Sequence, residues 1–561
     1  MIQYKKIRFA LLILGAGIIA SCTKLNEKLN STLTTDQVSS SFGTAGTQLL
    51  LNGAYSDLSF LGGQDQLFSL EENSTDESLV PTRGGDWDDN GVWRVIHSHM
   101  WTADHGQINS VFTALNKINF DATNVLNFNP SASQAAQAKV LRAYCLFYLL
   151  DLYGQYPIRN PGDNLLEAPV VRSGQGAIDS IINDITVSLP ALPDPGDPTI
   201  INKDVAKTLL MHCYLQRGTF INRATPTFDP ADMQQVITLG NSIIDGGKYS
   251  YQSNYFDNFS PNNHASTEAI FAYPNTGGVN ASHLASESRW EMTIHYNSYD
   301  AKAPNAGWNG FSTIGDFYNS FGVTTPVKAT AETNRGASGF FTGVSNINNP
   351  DTAIDQRLGG RFASNVTSSQ KSGIRPGFLI GQQYDENYVK EKDRKGNPLA
   401  FDPKIAADMK ETGTNLELTG IRVVKYPPDY NFFGGPANND FMIYRYSDVV
   451  LMVAEAEMRQ ASPDMATALG MVNKLRAARG AAAMTSITLV NPNNVDDPTT
   501  LLAERGRELY WEMFRRTDLL RFGVFLKPWQ YKPTDDPKNL IYPIPNSALA
   551  ADPNLKQNPG Y

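Results

Sequence analysis

The sequence predicts a mostly α-helical protein in which paired helices flank a long loop-rich region. Across residues 138–152, apolar residues recur at intervals of three and four, the spacing of one helix face. Similar patterns return after Phe441. Between Tyr249 and Phe441, by contrast, Gly, Asn, Ser, Pro and aromatic residues are dense, and no sustained periodicity remains. Helical pairs early and late in the chain therefore indicate a solenoid of helical hairpins.

Individual helices can be placed from their apolar faces and end signals. Gly154, a natural helix stop, follows a face formed by Ala138, Leu141, Cys145, Tyr148, Leu149 and Leu152. Asn202 is a good N-cap for a second helix that we expect to end at Gly218. The prolines of 189–199 exclude a helix there. A short strand is expected at 421–426, and the late helices at 446–459, 465–479 and 501–521.

The N-terminus has the features of a bacterial export signal. Basic residues at 5, 6 and 8 precede an apolar stretch, Phe9–Ala20, which is too short to span a bilayer core that needs about 20 residues. Ile19-Ala20-Ser21-Cys22 resembles a lipobox, which predicts cleavage before Cys22 and acylation of that cysteine. Stable anchoring takes at least two acyl chains. Ordinary secretion with an incidental cysteine is the alternative.

Two cysteines remain after Cys22. Cys145 and Cys213 lie within helical patterns and are expected to be buried free thiols, with a disulfide between them as the alternative.

The formal net charge of −9 argues against a nucleic-acid partner. It also argues against electrostatic docking on an anionic bilayer, so the lipid anchor alone would hold the protein at a membrane.

The first candidate ligand-binding patch lies in the polar and aromatic segment 71–105. Trp87 stands among glycines, carboxylates and Arg83, a context too polar for a core tryptophan. An indole face suits the C–H face of a sugar, while Arg83 and Asp76 suit its hydroxyl groups. A loop tryptophan that folds back onto the scaffold is the alternative. Trp93 and Trp101 are expected on a helix face.

A second candidate patch lies in the loop-rich region, with glycines at 307 and 310 that allow the backbone to bend around a ring. Its predicted ligand-binding residues are Arg289, Trp290, Tyr296 and Trp308.

The histidine and glutamate patterns do not indicate a metal site or a catalytic site. His97, His99 and His105 lack the spacing of a zinc site, and hydrogen-bonded packing accounts for them. We therefore predict no cofactor, although loop oxygens in the Asn/Asp-rich middle are compatible with a structural calcium ion. Glu504, Glu508 and Glu512 fall on one predicted helix face at intervals of four. We expect them to form structural ion pairs with Arg507, Arg515 and Arg516 instead of acting as catalytic acids.

Several segments resemble the SusD/RagB family of outer-membrane nutrient-binding lipoproteins. They are LRAYCLFYLLDLYGQYPI at 141–158, AKTLLMHCYLQRG at 206–218, FMIYRYSDVVLMVAEAEMR at 441–459, VNKLRAARG at 472–480, ERGRELYWEMFRRTDLLRFG at 504–523 and IYPIPNSALAADPNLKQNPGY at 541–561. The resemblance implies a tetratricopeptide-like helical hairpin scaffold with the irregular region packed on it. It divides the chain into a signal peptide, a tether, an N-terminal helical region, a loop-rich ligand-binding region and a C-terminal helical region, at 1–21, 22–35, 36–248, 249–440 and 441–561.

The resemblance also implies a function at the outer membrane. Family members bind a glycan or other polymer fragment and act as the lid of a SusC-like TonB-dependent transporter, without being enzymes. We therefore expect a lipid-anchored, outward-facing protein that binds oligosaccharide or polysaccharide. A glycoside hydrolase on a helical scaffold and a purely structural lid are the alternatives. The sequence does not distinguish among glycans, or between a glycan and a peptide, as the ligand.

Overall fold

The computed structural model describes residues 35–261, 263–276, 291–297, 307–321, 355–359, 376–383, 390–426, 429, 437–533 and 535–561. Cys22, Arg289 and Trp290 lie outside these residues. The longer helices pack in a row in which each contacts the next, and the chain leaves this row after Ile244 and rejoins it at Tyr446. The order in the row is Gly106–Val125, Ala132–Tyr153, Gly174–Ser188, Lys203–Ile221, Pro230–Ile244, Tyr446–Arg459 and Met465–Ala478.

Shorter helices complete the α-helical content of the described residues. They are Leu67–Glu72, Val92–His97, Gly315–Asn319, Asn415–Leu418, Leu501–Leu509, Arg515–Arg521 and Asn546–Ala551, and a kinked helix, Thr35–Ser56, precedes them. The mostly α-helical fold predicted from the sequence is confirmed. The irregular segments of the middle region carry little regular structure and pack on the helices through a shared hydrophobic core.

The helix ends follow local sequence chemistry. Ser131 and Gln134 form a reciprocal capping box at the start of Ala132–Tyr153, and Gly154 ends that helix at φ 69°. The Asn202 side chain accepts hydrogen bonds from the backbone N–H groups of Asp204 and Val205. The helix that Asn202 caps continues to Ile221, past the predicted end at Gly218. In the proline-rich connector, only Leu189–Ala191 forms a short 3₁₀ turn.

The described strands are short and pair two by two. The antiparallel pairs are Gln155–Ile158 with Val170–Ser173, Ala269–Tyr273 with Phe441–Arg445, Gly377–Leu379 with Arg422–Val424, and Gly381–Gln382 with Ala400–Phe401. The parallel pair is Thr82–Arg83 with Lys410–Glu411. This last pair joins the early polar segment to the loop-rich region, and the Arg422–Val424 strand lies within the predicted range 421–426.

The predicted helix 501–521 is wrong in one respect, because it is broken in the middle. Leu501–Leu509 is followed by an irregular turn in which Trp511 and Met513 have φ of 58° and 67°. The backbone N–H of Trp511 donates to Glu77 Oε2 at 3.2 Å, and that of Met513 donates to Glu72 Oε1 at 2.6 Å. Buried carboxylates thus take up the N–H groups that a continuous helix would bond internally.

The carboxylates of this segment form buried ion pairs, as expected, but mostly with distant arginines. Glu504 pairs with Arg507 at 2.6 Å and with Arg357 at 2.9 Å. Glu508 accepts from Arg479 at 2.8 Å and Arg445 at 3.1 Å. Burial alone would raise the pKa of Glu508, but these guanidinium groups lower it to about 2.

Arg515 and Arg516 do not pair with these glutamates. They bind Asp76 and Asp151 instead.

Cys145 and Cys213 are both free and fully buried in the hydrophobic core, as predicted. Burial raises the pKa of both thiols. Within the described part of the chain, no helix has the length and apolar character needed to cross a membrane.

Candidate ligand-binding surface

The early polar segment forms a tight turn at the protein surface. The backbone N–H of Arg83 donates to the carbonyl of Asp86 at 2.8 Å, and the loop between them is Gly84-Gly85. Gly84 has φ 72°, which glycine adopts without strain. Asp86 is exposed and Trp87 half-buried directly after the turn. The turn therefore presents a carboxylate and an indole side by side.

The Trp87 ring is held in place by contacts from the middle of the chain. Its Nε1–H donates to the carbonyl oxygen of Trp308 at 2.8 Å. The ring packs edge-on against Trp93 and Phe311, with centroid distances of 5.3 and 5.7 Å. A Cβ at Gly310 would lie 2.3 Å from Trp87 Cε2, so the close approach requires glycine there.

The second patch lies directly against the first. Trp308 is half-buried, and its backbone N–H donates to the carbonyl of Glu291 at 2.6 Å. The Tyr296 hydroxyl donates to the carboxylate of Asp86. Burial and the neighbouring carboxylate raise the pKa of Tyr296, so this hydroxyl stays protonated. Tyr296 and Trp308 of the second predicted patch therefore lie beside Trp87 of the first. We call the surface formed by Asp86, Trp87, Tyr296, Trp308 and Arg394 the Trp87 surface.

Arg394 completes the Trp87 surface and was missed from the sequence. Its guanidinium lies 3.8 Å from the ring centroid of Tyr296, a cation–π contact worth about 0.5–1 kcal/mol at an exposed site. Its Nε donates to Glu417 Oε1 at 2.8 Å, and half of the side chain stays exposed. The segment around it, EKDRKGNP, contains nothing that distinguishes a ligand-binding arginine from a solvated one.

A buried hydrogen bond supports the surface from below. His295 Nε2 lies 2.7 Å from Glu417 Oε2. Burial lowers the pKa of His295 to about 4 although Glu417 acts in the opposite direction, so the imidazole is neutral at pH 7. Glu417 accepts from Arg394 with its other oxygen. The hydrogen-bonded side chains of His295 and Glu417 therefore position Arg394. They are not suited to proton transfer near neutral pH.

Two residues predicted to bind ligand lie elsewhere. Asp76 has no exposed surface, and its carboxylate accepts from Arg515 Nε at 2.7 Å in the core. Arg83 is only 4% exposed and donates to the carbonyl of Thr419 at 2.9 Å and to that of Leu416 at 3.2 Å. Burial lowers the pKa of Arg83 to about 10. The structure thus corrects both predictions, because Asp76 pairs within the core and Arg83 fixes the loop beneath the surface.

The other candidates from the early segment are internal. Trp93 and Trp101 are buried, and their indole N–H groups donate to Asp89 and Tyr561, both at 2.7 Å. His97, His99 and His105 each have a hydrogen-bond partner within the fold. Among the described residues, no group of three or more His, Cys, Asp or Glu side chains is arranged to hold a metal ion.

The Trp87 surface combines aromatic faces with exposed hydrogen-bonding groups. Trp87, Trp308 and Tyr296 are half-buried aromatic residues, while Asp86 can accept and Arg394 can donate hydrogen bonds. This combination suits a polyhydroxylated ligand that has both C–H faces and hydroxyl groups.

The consecutive helices of the row, with short strand pairs packed on them, form a mostly α-helical scaffold. The chain belongs to the SusD family, whose model matches residues 267–561, more than half of the sequence. The chain is 22% identical over 537 residues to the starch-binding protein SusD of Bacteroides thetaiotaomicron, covering 89% of this chain and 88% of that protein. It is also 22% identical over 506 residues to the SusD-like protein P25 of Formosa agariphila, covering 88% and 81%.

Solved structures show the same fold. A SusD superfamily protein from Parabacteroides distasonis superposes with a TM-score of 0.65 at 17% identity, covering 94% of this chain and 100% of that one. Surface glycan-binding protein A from Bacteroides uniformis gives 0.64 at 16% identity, covering 92% and 99%. A laminarin-binding SusD-like protein gives 0.61 at 18% identity, covering 92% and 99%.

Proposed function

We propose that this chain is a glycan-binding protein whose ligand lies against the Trp87 surface. The observation that carries the proposal is the direct contact between the two aromatic patches, through Trp87 with Trp308 and Asp86 with Tyr296. Relatives named as starch-binding, glycan-binding and laminarin-binding support a carbohydrate ligand. The polar groups, Asp86 and Arg394, are half-exposed, which favours reversible binding of an oligosaccharide.

The cellular setting is part of the same proposal. Acylation of Cys22 would anchor the protein in the outer membrane, facing the cell exterior, where it would act as the lid partner of a SusC-like TonB-dependent transporter. A Cys22→Ser variant expressed in the native host should lose acylation, measured by incorporation of a labelled fatty acid, and should leave the membrane fraction. A membrane-bound, unlabelled native protein would contradict the anchor.

Binding without catalysis is the proposed activity. The glycoside hydrolase alternative has one observation in its favour, since burial raises the pKa of Glu291 to about 7, as in a general acid. Glu291 is only 9% exposed, however, and a hydrolase also needs a second carboxylate placed across the scissile bond.

A glycan array followed by product analysis tests the proposal. The chain lacking residues 1–22 should retain one class of oligosaccharide and release no shorter product. Failure to retain any glycan would contradict the proposed function. Product release by the native chain, lost in Glu291→Gln, would establish the hydrolase in its place.

A further inference from the structure

A cleft with a positively charged lining lies near the C-terminus and shares no residue with the Trp87 surface. Its volume is about 580 Å³, and most of its lining comes from strand residues 155, 171 and 173, residues 220–223 and residues 554–559. Arg223 and Lys556 are among the lining residues, and none of the described residues that line the cleft is Asp or Glu. In a chain with 56 acidic and 47 basic residues, such a lining favours an anionic ligand.

Gln155 holds two parts of the cleft together. Its backbone pairs with that of Ser173 in the antiparallel strands, where directly opposite residues have Cα atoms about 4.5–5.5 Å apart. Its side chain binds the backbone of Lys556: Nε2 donates to the carbonyl oxygen at 2.7 Å, and Oε1 accepts from the N–H at 3.1 Å. Ser173 and Lys556 therefore both lie next to Gln155.

The guanidinium of Arg223 is anchored one residue earlier in the chain. Its Nη2 donates to the carbonyl of Leu150 at 2.5 Å, and that carbonyl also accepts from the backbone N–H of Gly154 at 2.9 Å. Gly154 directly precedes Gln155 and also lines the cleft. The Arg223 side chain is 10% exposed, and burial lowers its pKa to about 10, so it keeps its charge at pH 7.

The charge of Arg223 is only partly compensated. The carboxylate of Asp151 lies 3.8 Å from Arg223 but 2.5 Å from Arg516, with which it forms the closer ion pair. Two guanidinium groups thus share one carboxylate. Because charges interact more strongly in the protein interior than in water, the remaining positive charge of Arg223 favours an anion in the cleft even without direct contact.

Lys556 and Ser173 supply donors that a ligand can reach, since both residues are exposed. The hydrogen bonds that Lys556 forms within the described part of the chain use its backbone, which leaves its ammonium group available. The Ser173 hydroxyl precedes the Gly174–Ser188 helix but does not cap it. Ammonium and hydroxyl groups are the donors that a carboxylate or sulfate group needs.

Two exposed asparagines add groups that suit hydroxyls. Asn222 accepts from the backbone N–H of Thr225 with Oδ1, so its Nδ2 is available to donate. Asn554 donates to the carbonyl of Pro169 with Nδ2, so its Oδ1 is available to accept. Both asparagines line the cleft.

We propose that this cleft binds the carboxylate or sulfate group of a sugar acid. Lys556 and Ser173 donate to the oxygens of the acidic group, and Arg223 adds positive charge behind them. Asn222 and Asn554 bind hydroxyl groups of the sugar ring. The site is separate from the Trp87 surface and does not depend on the glycan that binds there.

Three matched sugars test the requirement for charge. We would titrate the chain lacking residues 1–22 with D-glucuronate, D-glucose 6-sulfate and D-glucose by calorimetry at low ionic strength. At least one of the two acids should bind saturably, and its identity distinguishes a carboxylate from a sulfate ligand. Glucose should not bind, and added NaCl should weaken binding of the acid. No binding of either acid, or equal binding of glucose, would overturn the proposal.

Variants of the exposed lysine locate the binding. Lys556→Gln should weaken binding of the acid by at least about tenfold, because it removes a charge-assisted hydrogen bond, whereas Lys556→Arg should keep most of the affinity. Lys474→Gln, the same change at an exposed position of the Met465–Ala478 helix, is the control and should have no effect. Equal affinities of Lys556→Gln and the native chain would contradict the site.

The Trp87 surface also carries an exposed cation, Arg394, so it is the competing site for an acid. Arg394→Gln should bind the acid with unchanged affinity. Loss of acid binding in Arg394→Gln, with binding retained in Lys556→Gln, would show that the acid binds at the Trp87 surface. That result would overturn the present inference and leave the proposed glycan-binding function standing.

Discussion

The indole N–H of Trp87 donates to the backbone carbonyl of Trp308 at 2.8 Å, across a sequence separation of 221 residues. This bond fixes an early surface ring on the backbone of the loop-rich region. Tyr296 and Asp86 form a second link of the same kind. The proposed ligand surface therefore exists only when the two parts of the chain are packed together, which makes it sensitive to changes beneath the rings.

Gly310 is the position where that packing is tightest. Gly310→Ala would place a Cβ 2.3 Å from Trp87 and 2.9 Å from the carbonyl of Met292. We expect the ring to be displaced, with a loss of about 1–3 kcal/mol in the free energy of unfolding and weaker glycan binding. Urea denaturation and calorimetry measure the two effects. Gly85→Ala is the control, since a Cβ there meets nothing within 4 Å, and equal effects of both variants would contradict the packing argument.

Tyr296→Phe tests the polar link between the patches. The variant keeps the ring under Arg394 but removes the hydroxyl that donates to Asp86. Glycan affinity should fall by about threefold to tenfold, the effect of one hydrogen bond of about 1 kcal/mol. Tyr214→Phe, a half-buried tyrosine on the Lys203–Ile221 helix, serves as the matched control. An unchanged affinity in Tyr296→Phe would show that the hydroxyl does not contribute to glycan binding.

The buried ion pairs should matter strongly for stability. Arg479 donates to both Glu268 and Glu508 with no exposed side-chain surface. Arg479→Met would leave those carboxylates without part of their compensating charge, and we expect a loss of about 3–5 kcal/mol in the free energy of unfolding. Lys474→Met, at an exposed position of the Met465–Ala478 helix that Arg479 directly follows, should cost far less. Similar urea midpoints for the two variants would contradict a structural role.

Glu455 should make the free energy of unfolding depend on pH. Burial alone would raise its pKa, but Arg521 and Arg459 lower it from the ordinary 4.5 to about 2. Between these values the unfolded chain binds more protons, so the contribution of Glu455 is present above pH 4.5 and is lost as the pH falls toward 2. The unfolding free energy of Glu455→Gln should therefore fall less steeply than that of the native chain from pH 5 to pH 3. Identical slopes would contradict the shift, and exposed Asp65→Asn is the control.

Local chemistry explains which parts of the fold could be predicted from sequence. Asn202 and Gly154 mark helix ends through groups next to them in the chain, so their roles are visible without tertiary information. The break at Trp511 in the predicted helix 501–521 could not be predicted from the sequence, because it depends on Glu72 and Glu77, more than 400 residues earlier. The same holds for Glu508, whose partners, Arg445 and Arg479, come from other segments.

The candidate surface shows the same division. The polar context of Trp87 predicted a ring outside the core, and the ring is half-buried against Trp93 and Phe311. The same context also suggested Asp76 and Arg83, which the fold buries against Arg515 and Thr419. Composition cannot distinguish a polar side chain facing solvent from one satisfied inside the protein. Arg394 could not be found because its role depends on the ring of Tyr296 beneath it.

The proposed function requires that a glycan bind against the ring of Trp87. The most direct measurement is calorimetric titration of the array-identified oligosaccharide into the native chain, Trp87→Ala and Trp87→Phe, with melting temperatures recorded in parallel. We expect Trp87→Ala to bind at least about tenfold more weakly and Trp87→Phe to recover part of the affinity. Undiminished binding by a folded Trp87→Ala chain would contradict the proposed function.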